Sequence, residues 1–362
     1  DHFAAVAAAY ADFRPRYPAA LLAWLAEHAP ARTLAWDCAT GSGQAALDLA
    51  PHFARVIATD ASAAQIATAP ARDLHAGFGV PLRLVSRPPR AVHPSDEVFA
   101  ADLTDPAQTD AAVAGSDVAY LTAGLPADAK LWAEKFPAIM RNAIDACARH
   151  GAKLVFFDNT YMYPMTSEPL TEAAPFDPQG PRAKVRAEIA TMLLDAMAAG
   201  RVEAVICRAP EFYGPAQTQS FTNALLLGPI ARGERGRVPL RDDTLRSLIW
   251  TPDASRAMAL IGNTPAAFGQ TWHLPCDPER RTYAQLAALA SDLWGVEARY
   301  TVAPAIAFRA AAVFDKGART IVELLPRYAH DNIFVTEKFA QAFPEFRVTG
   351  YPEGIAALRP TG

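Results

Sequence analysis

Thr33–Asp60 reads TLAWDCATGSGQAALDLAPHFARVIATD, and its order of elements decides how the rest of the chain folds. Thr33–Ala39 is short and apolar. Thr40, Gly41, Ser42 and Gly43 form a turn that lets backbone come close to a ligand. Ala45–Phe53 has the pattern of a helix, and Arg55–Thr59 is a second apolar strand ending in Asp60. Glycines at a helix N-terminus clear space where free backbone N–H groups attract polar or anionic groups. A carboxylate at the neighbouring strand tip can take both hydroxyls of a ribose. The unit therefore reads as a nucleotide cradle, against the plainer alternative of an ordinary strand-to-helix turn.

The length of 362 residues allows two domains, or one large α/β domain with a cap. A formal net charge of −4 argues against a nucleic-acid or anionic-membrane partner. No apolar run has the length of a membrane span. The start, DHFAAVAAAYADFRPRYP, lacks a basic region followed by an apolar core, so no signal peptide is expected. Opening at Asp1 suggests a fragment or a processed form. Cys38, Cys147, Cys207 and Cys276 are far apart, and the eight histidines show no ligand spacing. No metal site or disulfide framework is expected, and the cytoplasm is the default compartment.

Strand and helix signals alternate through residue 208. Strands are expected at Thr33–Ala39, Arg55–Thr59, Leu82–Ser86, Val98–Ala101, Val118–Thr122, Leu154–Phe157 and Val202–Cys207. Helices are expected at Ala63–His75, Lys130–His150 and Arg182–Ala199. The alternation predicts an α/β fold: a Rossmann-like, doubly wound, mostly parallel sheet. Its strands are apolar throughout, as when both faces are covered. After Arg208, prolines and glycines cluster. Residues 209–362 then read as a substrate-side region with a small C-terminal cap, beside a nucleotide-binding domain over 1–208.

Two resemblances meet in this chain. Tyr10, Arg14-Pro15, Tyr17-Pro18, the loop from Asp37 to Gln44 and Val56–Asp60 resemble a class I S-adenosylmethionine-dependent methyltransferase over residues 1–70. In that family the glycine loop runs under the amino-acid end of the cofactor and an acid like Asp60 holds the ribose. From about Arg72 the chain resembles an extended or atypical short-chain dehydrogenase/reductase of the NAD-dependent epimerase/dehydratase kind. Val80–Arg87, Ala100–Pro106 (AADLTDP), Val118–Gly124 (VAYLTAG), Leu154–Pro164 (LVFFDNTYMYP), Arg208–Pro215 (RAPEFYGP), Trp250–Asp253 and Trp272–Pro275 follow in that family's order. The resemblance implies a cofactor lined by Asp102, Leu103, Thr122 and Gly124, together with Gly41, Gly43 and Asp60. The family's glycine turn would fall at TDASAAQIAT, where Asp60, Ala63 and Ala67 stand instead. Two arrangements follow. In the favoured one, Thr33–Ala39 is the central strand with Arg55–Thr59 beside it. In the other, Arg55–Thr59 takes the family's first-strand position and Thr33–Ala39 is extra.

That family's Tyr-x-x-x-Lys pair uses the lysine to lower the tyrosine pKa and the phenol to relay a proton. Lys184 matches the lysine, but Gly180 stands four residues earlier and Asn159 takes the Ser/Thr position. Tyr161 or Tyr163 could substitute as the phenol, or both could be packing residues. Lys184, Tyr161 and Asn159 are the catalytic candidates. Asp102 could bracket adenine or cap a turn with Thr104. Glu211 and Tyr213 are placed in a loop beside the substrate site, with Tyr213 read as sealing it. The expected activity is that of an atypical NAD- or NADP-dependent oxidoreductase or epimerase/dehydratase acting on a small molecule, with a homodimer as a possible assembly. The alternatives are an S-adenosylmethionine-dependent methyltransferase, a non-catalytic nucleotide-binding protein, or a fused reading frame.

Overall fold

The computed structural model describes residues 35–38, 56–59, 82–89, 96–215, 220–313, 319 and 321–359. Two compact units divide the chain, residues 1–102 and 103–362. In the first, β1 (Ala35–Cys38) pairs in parallel with β2 (Val56–Thr59), and β3 (Arg83–Ser86) pairs in parallel with β4 (Glu97–Ala100). The β1–β2 pairing is the one that the favoured arrangement expects. Gly41, Gly43, Asp60 and the helix expected over Ala63–His75 lie outside the described residues.

The second unit carries β5 (Val118–Leu121), β6 (Lys153–Asp158), β7 (Ala204–Arg208), β8 (Glu211–Tyr213), β9 (Gly236–Pro239), β10 (Leu245–Arg246), β11 (Leu248–Trp250), β12 (Thr271–His273), β13 (Arg281–Thr282) and β14 (Tyr300–Ala303). Four of them form a parallel sheet in the order β12-β7-β6-β5. Its helices are α1 (Pro106–Val113), α2 (Ala129–His150), α3 (Pro181–Ala198) and α4 (Thr251–Gly262). The Asp105 carboxylate accepts from the Ala107 and Gln108 N–H groups and so starts α1. Asp128 does the same for α2 through Leu131, and Gly151, left-handed at φ 67°, ends that helix. Gly180, before α3, offers no side-chain cap.

The strands are apolar on both sides because both faces are covered. Leu154 and Phe156 of β6, with Ala204 and Ile206 of β7, pack against Phe136, Met140 and Ile144 of α2 and Ile189 and Leu193 of α3. Val155, Val205 and Cys207 point the other way, into a cluster with Ala254, Ala257 and Ile261 of α4 and with Trp272. This is the period-two alternation of a strand with a helix layer on each face. Beyond β7, β8 pairs in parallel with β11, so Glu211 and Tyr213 sit on a strand rather than in the expected loop. A further apolar cluster joins Tyr213, Leu248 and Trp250 to Leu286, Ala290 and Trp294 of α5 (Tyr283–Trp294) and to Tyr351 and Ile355 of α6 (Tyr351–Ala357).

A buried polar network ties the C-terminal ends of β6, β7 and β12. The Asp158 carboxylate is completely buried and accepts from Arg186 of α3 and from Arg208 Nε at 3.1 Å. Arg208 Nη1 donates to the Tyr163 hydroxyl at 2.6 Å, and that hydroxyl lies 2.7 Å from His273 Nε2. His273 Nδ1 lies 2.8 Å from the Val335 carbonyl. A carbonyl can only accept, so Nδ1 carries the proton and Nε2 accepts a hydrogen bond from the Tyr163 hydroxyl. Burial pushes His273 down to about 3, with Arg208 and Lys338 opposing protonation further.

Neutral His273 gives the stability of the unit a pH slope. Its folded value of about 3 lies below the unfolded value of roughly 6.5. Its contribution is therefore complete above about pH 6.5 and is lost as pH falls from there toward 3. We predict that the wild type loses up to about 1.4 kcal/mol per pH unit more than His273→Gln across this window. Urea unfolding at a series of pH values checks this, and equal slopes would show that His273 titrates normally. Asp158→Asn leaves two buried guanidiniums without their carboxylate. It should cost about 3–5 kcal/mol in the same assay, and a loss under about 1 kcal/mol would refute the network's role.

Candidate active site

In an open parallel sheet, ligands approach the C-terminal ends of the strands. Thr122 and Gly124, directly after β5, are exposed there. Asp102, in the first unit, is half-buried, and the cap of the following helix is Asp105. Leu103 is half-buried, and its carbonyl accepts from Thr109 Oγ1 and Asn142 Nδ2, which ties the start of the second unit to α2.

After β6 the chain turns sharply at Asn159. Its Oδ1 accepts from the Tyr161 N–H at 3.0 Å, closing a side-chain turn. This fixes the amide so that Nδ2 points away as a donor. Arg327 Nη2 then donates to the Thr160, Tyr161 and Tyr163 carbonyls at 2.7, 3.1 and 3.2 Å, holding the turn from the far side. The two candidate tyrosines have separate fates. Tyr163 is fully buried with its hydroxyl taken by Arg208 and His273, so it cannot meet a ligand. Tyr161 is half-buried, and its hydroxyl has no hydrogen-bond partner among the described residues. Its ring stacks on Trp132 of α2 at 6.1 Å and 18°. Burial raises its pKa, while the charges of Arg182, Arg327 and Arg186 pull it down and that of Glu211 adds to the rise.

Lys184 is exposed on the first turn of α3. Gly180 adopts φ 97°, ψ 166°, a region open essentially to glycine alone. A Cβ there would stand 2.5 Å from Glu323 Oε1. A side chain at this position would be strained by the backbone and would have to displace the Glu323 carboxylate.

On the substrate side, Glu211 of β8 anchors a second cluster. Its Oε1 accepts from Thr222 Oγ1 at 2.7 Å and from the Tyr283 hydroxyl at 3.0 Å, and its Oε2 pairs with Arg246 Nη2 at 3.4 Å. Arg246 lies 4.7 Å over the Tyr328 ring. Arg246 Nε and Arg327 Nε and Nη1 are buried without hydrogen-bond partners among the described residues. Burial first, and then the charge of Arg246, lower Arg327 to about 10. Beside this cluster a small gap of about 10 Å³, room for about one water, is lined by Thr222, Tyr283 and Tyr328 with Phe221 and the exposed Arg237. Tyr213 is buried between Trp250 and Tyr351 and closes its strand from behind. Among the described residues no three His, Cys, Asp or Glu side chains gather as metal ligands.

Asn159 and Tyr161 therefore share one turn, with the Glu211 charge acting on Tyr161, while Tyr163 and Tyr213 are structural. Sequence reasoning missed Arg182, Arg246, Arg327 and Glu323. The one visible signal was the spacing of Arg182 and Arg186, which puts both on one face of α3.

The NAD dependent epimerase/dehydratase family model matches residues 49–274. The match takes in β2 and leaves Gly41, Gly43 and β1 outside it. Val56–Thr59 is the first described strand within the match. The methyltransferase resemblance of residues 1–70 gains no support from any comparison. No curated protein matches the chain. Among solved structures, the UDP-glucose 4-epimerase of Thermus thermophilus in complex with NAD is similar, with a TM-score of 0.59 at 18% identity over 77% of this chain and 89% of that one. UDP-glucuronic acid 4-epimerase from Bacillus cereus in complex with NAD gives 0.60 at 13% over 76% and 88%. DesIV, the dTDP-glucose 4,6-dehydratase from Streptomyces venezuelae with NAD and TYD bound, gives 0.58 at 17% over 90% and 95%. At these identities the likeness is one of fold. With more than half of its length matched by the family model, the chain belongs to the NAD dependent epimerase/dehydratase family.

Proposed function

We propose that this protein binds NAD and acts as an oxidoreductase or epimerase/dehydratase on a small hydroxylated substrate that carries an anionic group. The carrying observation is Tyr161: a phenol without a hydrogen-bond partner among the described residues, on the turn that Asn159 closes after β6, at the strand ends where family members hold their cofactor. The relatives named above are bound to NAD, which supports that cofactor. The exposed Thr122 and Gly124 after β5 fit its approach, and the exposed Lys184 is suited to its hydroxyls. NAD, when bound, supplies a hydride acceptor. Tyr161 gives or takes the proton of the substrate oxygen, and Asn159 Nδ2 donates a hydrogen bond to that oxygen. The unpartnered N–H groups of Arg246 and Arg327 and the exposed Arg237 favour an anionic substrate arm. A second reading rests on Gly180, which stands where the usual phenol would: a nucleotide-binding protein without turnover.

Calorimetric titration tests the cofactor. NAD or NADH is expected to bind and S-adenosylmethionine to give no heat; the reverse result would sink the proposal and revive the methyltransferase reading. In the NADH-loaded protein, UDP-glucose is expected to bind and glucose alone to fail; binding of glucose with equal affinity would remove the anionic arm. For a nucleotide sugar that is turned over, Tyr161→Phe should lower kcat by roughly 10²–10⁴-fold, with NADH affinity unchanged. Full activity in that variant would exclude Tyr161, and absence of turnover across nucleotide sugars in the wild type would favour the second reading.

A further inference from the structure

The family pattern pairs its phenol with a lysine, and here the lysine is in place while the phenol has moved. Arg182 and Lys184 are two residues apart, so they leave α3 about 200° apart. Arg182 is buried and Lys184 is exposed. The charges that face Tyr161 are Arg182 and Arg186 from α3, Arg327 from the C-terminal segment and Glu211 from β8; Lys184 is not among them. Arg182 is the first of these in effect. Its guanidinium lies 5.8 Å from the Tyr161 ring centre and 5.6 Å from that of Trp132, against which Tyr161 stacks.

Arg182 is itself held by a device built for it. Glu323 Oε2 accepts from Arg182 Nε at 2.7 Å. Glu323 Oε1 accepts from the backbone N–H of Arg182 at 2.9 Å and that of Ala183 at 3.4 Å. A carboxylate from a distant segment thus caps α3, a task its own Gly180 cannot perform. In its present position the carboxylate occupies the space next to the Gly180 Cα, where a Cβ would stand 2.5 Å from Glu323 Oε1.

We propose that the Arg182–Glu323 pair is the charged partner of Tyr161: Arg182 supplies the cation that Lys184 does not, and Glu323 is the positioning residue that holds it against the phenol. This rests on the reading of Tyr161 as the proton-transfer group. The pair sets how strongly that phenol holds its proton. Arg182 favours the phenolate, and the nearby carboxylate tempers it.

The test reads Tyr161 directly. In protein labelled with ¹³C at tyrosine Cζ, the Tyr161 resonance is the one missing from Tyr161→Phe. At neutral pH it should move in Glu323→Gln and in Arg182→Gln, and stay in place in Lys184→Gln. Followed upward in pH, its titration should fall by on the order of one unit in Glu323→Gln and rise in Arg182→Gln. Glu323→Gln keeps an acceptor for the helix N–H groups, so it tests charge with the cap retained; circular dichroism confirms the fold. A Tyr161 resonance unmoved in folded Glu323→Gln, or moved more by Lys184→Gln, would overturn the assignment. If the resonance responds as stated while Tyr161→Phe retains full turnover, the pair stands and the catalytic reading of Tyr161 fails.

Discussion

Two guanidiniums meeting one buried carboxylate hold this structure together. Asp158 ends the central strand β6, Arg208 ends β7 beside it, and Arg186 descends from α3. A lone carboxylate in that interior would be expelled or protonated, and lone arginines would carry the same penalty. Together they are tolerable, and their geometry fixes three elements at the edge where a ligand arrives. The next residue, Asn159, begins the turn that presents Tyr161. The donor chain through Tyr163 and His273 then extends the constraint to β12, so the rigidity of the site derives from groups that never touch a ligand.

Arginine is the cation of each buried ion pair around this network. Arg186 and Arg208 are matched by Asp158, Arg246 by Glu211, and Arg182 by Glu323. Arg327 donates through Nη2 to three backbone carbonyls, while its Nε and Nη1 have no partner and the side chain no carboxylate among the described residues. A planar fork with five donors can do this, whereas lysine, as a point charge, would leave the 160–163 turn less defined.

The alternating elements of the second unit were legible because long apolar strands and capped helices leave strong periodic signals. β5, β6, β7, α2 and α3 all fall within two residues of their expected bounds. The short strand β8 was taken for a loop because Glu211–Tyr213 sits in a proline-rich stretch and is a strand only through pairing with β11, more than thirty residues on. Asn159 and Tyr161 were visible as chemistry at a strand end. What separated Tyr161 from Tyr163 was not, since one hydroxyl is claimed by Arg208 and His273, both distant in sequence. Glu323 was invisible for the same reason: no local pattern announces a carboxylate that caps a helix 141 residues away.

That separation has a bearing on biogenesis. During synthesis from the N-terminus, α3 is complete long before Glu323 exists. Until the segment that carries Glu323 emerges, the first turn of α3 lacks its acceptor and Arg182 lacks its counter-ion. Sheet and helices can assemble, but the active-site face can close only at the end, by a contact of long sequence separation that pays its loop-closure entropy late. A chain truncated before residue 323 would hold much of the second unit's sheet, with α3 lacking both its cap and the counter-ion of Arg182.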